Sequence, residues 1–172
     1  MSLDRFKSAQ QDSSSGFETA LAELQAGRKT SHWIWYIFPQ LASLGRSSTA
    51  RFYGLSDLNE ACDYLNDSLL RGRLLRVTEA VGRHLVVGVP VLKLMGGETD
   101  SFKLASSLTL FELADEKILA TKPGAAASDL ESLSASCGLA LTATERQGFP
   151  RCRHTLDSVA SEGNGRATGI EP

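Results

Sequence analysis

The sequence predicts an all-α fold, a compact multihelical single domain. Three observations lead there. Apolar residues recur at i, i+3, i+4 and i+7 in one stretch after another, the signature of helices with one buried face. Strand evidence is thin: Ile34 to Phe38 and Leu85 to Val91 are short apolar runs compatible with strands, but neither has a hairpin partner. Finally, 42% of the 172 residues are apolar, enough to bury a core, and neither a repeat nor a long linker divides the chain. The helical domain is expected over residues 1–158. The remainder, 159–172, lacks periodicity and is expected to be a disordered tail.

Each helix has its own signals. A short one near Asp4 to Gln10 shows Leu3 and Phe6 to the core. The stripe Phe17, Ala20, Leu21 and Leu24 follows Ser15, which forms a capping-box pattern with Glu18; Gly27 then ends the helix, since glycine tolerates positive φ. Ser56 opens a stripe of Leu58, Ala61, Cys62 and Leu65. Asp67 or Ser68 caps a third helix through Leu70, Leu74, Val77, Val81 and Leu85. Gly72 and Gly82 each weaken that helix by roughly 1 kcal/mol relative to Ala, so a bend or break is expected before Pro90 ends it. Gly96-Gly97 marks a turn, and Asp100 stands as an N-cap ahead of Phe102, Ala105, Leu108 and Phe111. Separate helical pieces are expected at Asp115 to Thr121, Ser128 to Ser136 and Thr142 to Gln147.

Composition excludes several function classes. Eighteen basic against twenty acidic residues leave a formal charge of −2, with no basic field for general nucleic-acid binding. No apolar run approaches the roughly 18 residues of a membrane helix, and the N-terminal residues do not read as a secretory signal. Cys62, Cys137 and Cys152 are odd in number and far apart, which suits neither a disulfide framework nor a zinc knuckle and fits a reducing cytoplasm. His32, His84 and His154 are too scattered for a metal site, and none is expected; nor is a cofactor.

The segment Gly27 to Arg46 departs from this background. It holds both tryptophans, Trp33 and Trp35, with Lys29, His32, Tyr36, Phe38 and Gln40, and Pro39 prevents a long helix. One reading is a core aromatic cluster with solvated ends. The other is a pocket in which flat indoles stand beside polar tips.

The same segment carries a resemblance. Gly27-Arg28-Lys29, Ser31-His32-Trp33-Ile34-Trp35-Tyr36-Ile37-Phe38-Pro39-Gln40 and Leu44-Gly45-Arg46-Ser47 resemble the signature of a bacterial family catalogued as domain of unknown function 1810. Asp4, Arg5, Phe6, Tyr53, Glu60, Tyr64, Asp100, Lys103 and Phe111 extend the likeness over nearly the whole chain, while Lys122 to Gln147 departs from it by being rich in Ala and Ser. The resemblance implies a compact multihelical domain and no established activity. Some members bear the label calpastatin, yet nothing in this chain resembles an extended protease inhibitor.

Two functional readings follow. In the first, the domain binds or processes a nucleotide-like or ADP-ribose-like ligand. Trp33 and Trp35 stack a ring, Lys29, Arg46 and Lys103 meet phosphates, Gln40 and His32 hydrogen-bond, and Glu60, Asp100 and His32 are the candidate catalytic groups. A fold-level likeness to the small helical ADP-ribose-processing proteins of the NADAR group, with an early aromatic segment and a later Lys-bearing helix, implies the same. This reading expects Trp33→Ala to abolish stabilisation by nucleotides. In the second, the domain is a non-catalytic protein-interaction module whose aromatic segment is core. Further features stay open between the two. Asp100 and Lys103 are an exposed i,i+3 pair or part of an anion site with Ser106, Ser107 and Thr109. Arg71, Arg73, Arg76 and Arg83 are a solvated face or a small basic patch.

Overall fold

The computed structural model describes residues 2–121 and 127–164. The chain order is α1 (Asp4–Gln10), α2 (Phe17–Gln25), α3 (Ile34–Ile37), a 3-10 turn (Ala42–Leu44), α4 (Ser48–Phe52), α5 (Leu58–Asn66), α6 (Ser68–Val86), α7 (Val91–Met95), α8 (Glu98–Thr121), α9 (Ala127–Arg146) and α10 (Arg153–Asn164). The all-α expectation is met. Extended pairing among the described residues is confined to one isolated parallel bridge, Leu41 to Leu55.

The core forms around α8. Helix α9 packs on both α6 and α8, α5 packs on α8, and α2 packs on α6. Leu104, Leu108, Leu110, Phe111 and Ala114 of α8 are fully buried, so this helix is apolar around much of its circumference and is enclosed by its neighbours. The stripes read from sequence face inward: Phe17, Ala20, Leu21 and Leu24 on α2, and Leu70, Leu74, Val77, Val81 and Leu85 on α6.

Several local expectations change. Ser15 caps nothing on α2; Gly16 is the N-cap, and a Cβ there would stand 2.2 Å from the Asp12 carbonyl oxygen, so only glycine fits. Asp12 instead gathers the Ser14 and Ser15 amides at 2.9 and 2.8 Å. Asp57 rather than Ser56 caps α5, accepting from the Glu60 amide at 2.9 Å. Asp67 caps α6 as expected, accepting from the Leu69 and Leu70 amides. Gly72 and Gly82 do not interrupt α6; Gly82 lies against Leu139 of α9, and a Cβ there would touch that side chain at 3.4 Å. Ile34 to Phe38 forms a helical turn instead of a strand, and Leu85 to Val91 divides between the end of α6 and the start of α7. The pieces expected beyond Asp115 fuse into α8 and α9, because buried faces continue across the intervening polar residues. Helix α10 runs through Asn164, six residues into the stretch expected as tail. Residues 122–126, and 165–172 of the expected tail, lie outside the described residues.

One buried acid sits in this frame. Asp115 of α8 is fully buried, and burial pushes its carboxyl up to about 6 against the pull of the Ser134 hydroxyl on α9. A folded-state value above the ordinary one means that stability falls as pH rises through about 6, where the buried group must ionise. We expect Asp115→Asn to be more stable than the parent at mildly alkaline pH, on the order of 1–2 kcal/mol, and to lose this part of the pH dependence. Denaturant unfolding at a series of pH values checks it.

Candidate functional site

A cleft of about 460 Å³ opens between α8 and the segment running from Trp35 to Ala50. Helix α8 contributes Thr99, Phe102, Lys103 and Ser106, which share one face by their i, i+3, i+4 and i+7 spacing. The opposite wall is Trp35, Gln40, Leu44, Arg46, Ser47 and Ala50.

Local chemistry shapes that wall. Pro39 follows α3 and cannot extend it, since it has no N–H to donate. The Leu55 amide donates to the Gln40 carbonyl at 2.9 Å and the Ala42 amide to the Leu55 carbonyl at 2.8 Å, pinning the strand-like exit. Gly54 permits this contact, since a Cβ there would stand 2.4 Å from the Ala42 Cα. Ser47 then caps α4 through the Ala50 amide at 3.1 Å.

Behind the cleft lies a chain of charges. Asp100 accepts from Lys29 Nζ at 2.8 Å and Lys103 Nζ at 3.0 Å. Burial works against its carboxylate, but the two lysines outweigh burial and hold its pKa below the ordinary range. Lys29 also donates to the Ser31 carbonyl at 2.7 Å and lies 5.0 Å from the Trp33 ring centroid. Lys103 lies 5.1 Å from the centroid of Trp35. Each lysine therefore stands over one indole, and one aspartate ties them together.

The structure thus joins some of the expected residues and separates others. Trp35, Gln40, Arg46 and Lys103 share the cleft, with Lys29 and Asp100 connected behind it. Trp33 is 0% exposed and belongs to the core. His32 is exposed outside the cleft lining, and its carbonyl accepts from the Tyr36 hydroxyl at 3.2 Å. Glu60 is also outside the lining, buried in an ion pair with Arg5 at 2.7 Å. Asp100 lies within the first turn of α8 and spends its carboxylate on lysines instead of capping. Ser106 lines the cleft, but Ser107 is buried, and Thr109 is buried with its hydroxyl donating to the Ala105 carbonyl. None of the arginines of α6 lines the cleft. Arg71 is buried and donates to the Leu65 carbonyl, while Arg73 and Arg76 stand over Phe17.

Three contributors escaped the sequence reading. Glu23 accepts from the Thr30 amide at 2.8 Å, the Ser31 amide at 3.0 Å, both of those residues' hydroxyls, and Trp33 Nε1 at 2.8 Å. Burial opposes its charge, yet the Ser31 and Thr30 donors hold its pKa at about 2. It fixes the loop that delivers Lys29 and the indoles. Nothing in its helix spacing marks that role. Phe102, read as core, is 47% exposed and forms part of the cleft wall. The third is Cys152, which precedes α10. Burial raises its thiol, but the Ser106 hydroxyl and the Thr155 and His154 amides beside it outweigh burial and hold its pKa below the ordinary value. Cys62 and Cys137 are buried with raised values. We expect Cys152 to react with iodoacetamide in the folded protein well before the other two, an order that peptide mass mapping reads directly.

Among the described residues no group of three His, Cys, Asp or Glu stands where it would hold a metal ion, and no helix is long and apolar enough to cross a membrane.

Fold and cleft together define a helical domain built around a central helix, with an aromatic and cationic hollow on one flank. Comparison places it more narrowly. Residues 1–122 match a family described as protein of unknown function DUF1810, and the chain belongs to that family. The crystal structure of the conserved hypothetical protein Rv1873 from Mycobacterium tuberculosis is similar, with 35% identity, a TM-score of 0.68, and coverage of 92% of this chain and 96% of that one. No curated protein matches the chain.

Proposed function

We propose that the cleft binds a small dianionic ligand carrying a flat ring, of the nucleotide or ADP-ribose type. The observation that carries this reading is the convergence of Trp35, Arg46, Lys103 and Gln40 on one hollow. Its 460 Å³ falls within the roughly 300–1,000 Å³ of small-molecule sites. Lys29, Arg46 and Lys103 against the single carboxylate of Asp100 leave a surplus of two positive charges, matching a phosphate monoester dianion. The opening turn of α8, with Thr99 in the wall, adds the positive end of a long helix. A ring packs beside Lys103 against the indole of Trp35, and Gln40 supplies a directional contact. The site is read as a binding site. His32 and Glu60 lie outside it, and Asp100 is held ionised between two ammonium groups.

Thermal unfolding with AMP, ADP-ribose and inorganic phosphate tests the reading. At about a hundredfold excess over Kd, a bound ligand adds about 2.7 kcal/mol, several degrees in Tm. Trp35→Ala is expected to weaken the ring-bearing ligands by about 1–3 kcal/mol while leaving the response to phosphate alone. Trp33→Ala is the wrong probe, because it opens the core. No shift with any of the three at millimolar concentration sinks the proposal.

A further inference from the structure

We propose that Lys29 sets the charge of the ligand the cleft takes: acting through Asp100 and without touching the ligand, it makes the hollow select a dianion over a monoanion. This rests on the reading of the cleft as a phosphate-ligand site and names the residue that decides which phosphates enter.

Lys29 is a buried group. Its side chain is 7% exposed and lies outside the cleft lining. An ammonium carries three N–H donors. Here Asp100 Oδ2 accepts at 2.8 Å and the Ser31 carbonyl at 2.7 Å, and the Trp33 ring centroid lies 5.0 Å away. Carboxylate, carbonyl and indole together occupy the ammonium. Lys103 is the opposite case. It lines the cleft, and its ammonium makes one hydrogen bond among the described residues, to Asp100 Oδ1 at 3.0 Å. Donor capacity remains there for a phosphate.

The balance of charges gives Lys29 its role. One lysine is enough to neutralise Asp100, and Lys103 already stands one helical turn from it at i,i+3. The second lysine overcompensates. With Lys103 alone on Asp100, the guanidinium of Arg46 is the one surplus positive charge at the cleft; with Lys29 on the other carboxylate oxygen, the surplus is two. A tie between the loop and α8 needs only a neutral donor, and burying an ammonium costs desolvation that such a donor avoids. The charge is therefore the part that serves the cleft. The Lys29 and Asp100 side chains are 7% and 20% exposed, so water and salt screen the effect weakly. Lys29 is thus a positioning residue, and Asp100 carries its influence to Lys103.

Isothermal titration calorimetry on the full chain tests this with AMP, cyclic AMP and adenosine, a dianion, a monoanion and a neutral nucleoside at mildly alkaline pH. Lys29→Met is expected to weaken AMP about tenfold and cyclic AMP about threefold and to leave adenosine unchanged, a loss that scales with ligand charge. Lys29→Gln keeps a donor and drops only the charge; it should give the same pattern and guards against a folding defect in the Met variant. The double variant Lys29→Met/Asp100→Asn returns the surplus to two, from Lys103 and Arg46. Its preference for AMP over cyclic AMP should recover to that of the parent, although both residues of the buried pair are gone. A direct contact between Lys29 and the phosphate allows no such recovery. Single variants that weaken AMP and cyclic AMP equally overturn the proposal, and so does a double variant that discriminates no better than Lys29→Met. A parent that binds none of the three ligands overturns the ligand reading and this inference with it. A parent that binds AMP, with the same preference over cyclic AMP in every variant, overturns this inference alone.

Discussion

Glu60→Ala is expected to lower the unfolding free energy by about 3–5 kcal/mol, because it leaves the Arg5 guanidinium buried without its counter-charge. The Arg5 and Glu60 side chains are 4% and 9% exposed, so water cannot take the partner's place. The pair is also tied into the backbone. Arg5 donates to the Gly54 carbonyl at 3.1 Å, and Glu60 accepts from the Ser56 amide at 2.7 Å. Together these join α1 to the entry of α5. For a chain of this length the loss corresponds to roughly 10 °C in Tm. The outcome separates two roles for Glu60. A catalytic carboxylate loses activity on substitution and keeps stability; this one is expected to lose stability, because Arg5 and Glu60 hold Gly54 and Ser56 on either side of the Leu55 backbone that pins the cleft wall. The acid limb of the stability profile carries the same signature. Burial opposes the Glu60 charge, but the Ser56 amide and Arg5 lower its folded pKa. Its contribution is therefore present above the ordinary glutamate range and lost as pH falls through the depressed value.

Glu23→Ala is expected to cost about 2–4 kcal/mol and to damage the cleft as well. The carboxylate gathers two backbone amides, two hydroxyls and the indole N–H of a fully buried tryptophan. Its loss strands Trp33 Nε1 inside the core and frees the loop that carries Lys29. Lys29 then no longer steadies Asp100, and Lys103 loses its fixed place over Trp35. We expect a reduced Tm together with ligand affinity weakened about tenfold, whereas Glu23→Gln, which keeps shape and some acceptors, lies between. Because the folded pKa of about 2 is below the ordinary value of 4.5, the clamp's stabilisation is complete above about pH 4.5 and is lost toward pH 2. Acid unfolding of parent and variant should therefore converge at the low end. A variant as stable as the parent at neutral pH refutes the clamp.

The helices were legible because their signals are local. The stripes on α2, α5 and α6 require only that apolar residues recur with the helical period, and Asp67 and Gly27 punctuate them by conformational preference alone. Where a feature depended on a distant neighbour, the local reading failed. Ser15 has the right residue type for a cap, but Gly16 must approach the Asp12 carbonyl and takes that position. The polar breaks within α8 and α9 looked like ends until both helices were seen to bury faces on either side of them.

The amino-acid sequence by itself determined the helical class, most of the core stripes and the unusual character of residues 27–46, since periodicity and composition act within a few turns of chain. Only the tertiary structure decided which indole is buried and which faces the cleft. Trp33 and Trp35 are two residues apart and chemically alike; Glu23 draws the first inward, and the face of α8 bearing Phe102 and Lys103 leaves the second at the surface. It likewise decided that Glu60 serves the core and Arg46 the cleft, because a charged side chain's role is set by the groups that surround it, and those come from elements far away in the chain.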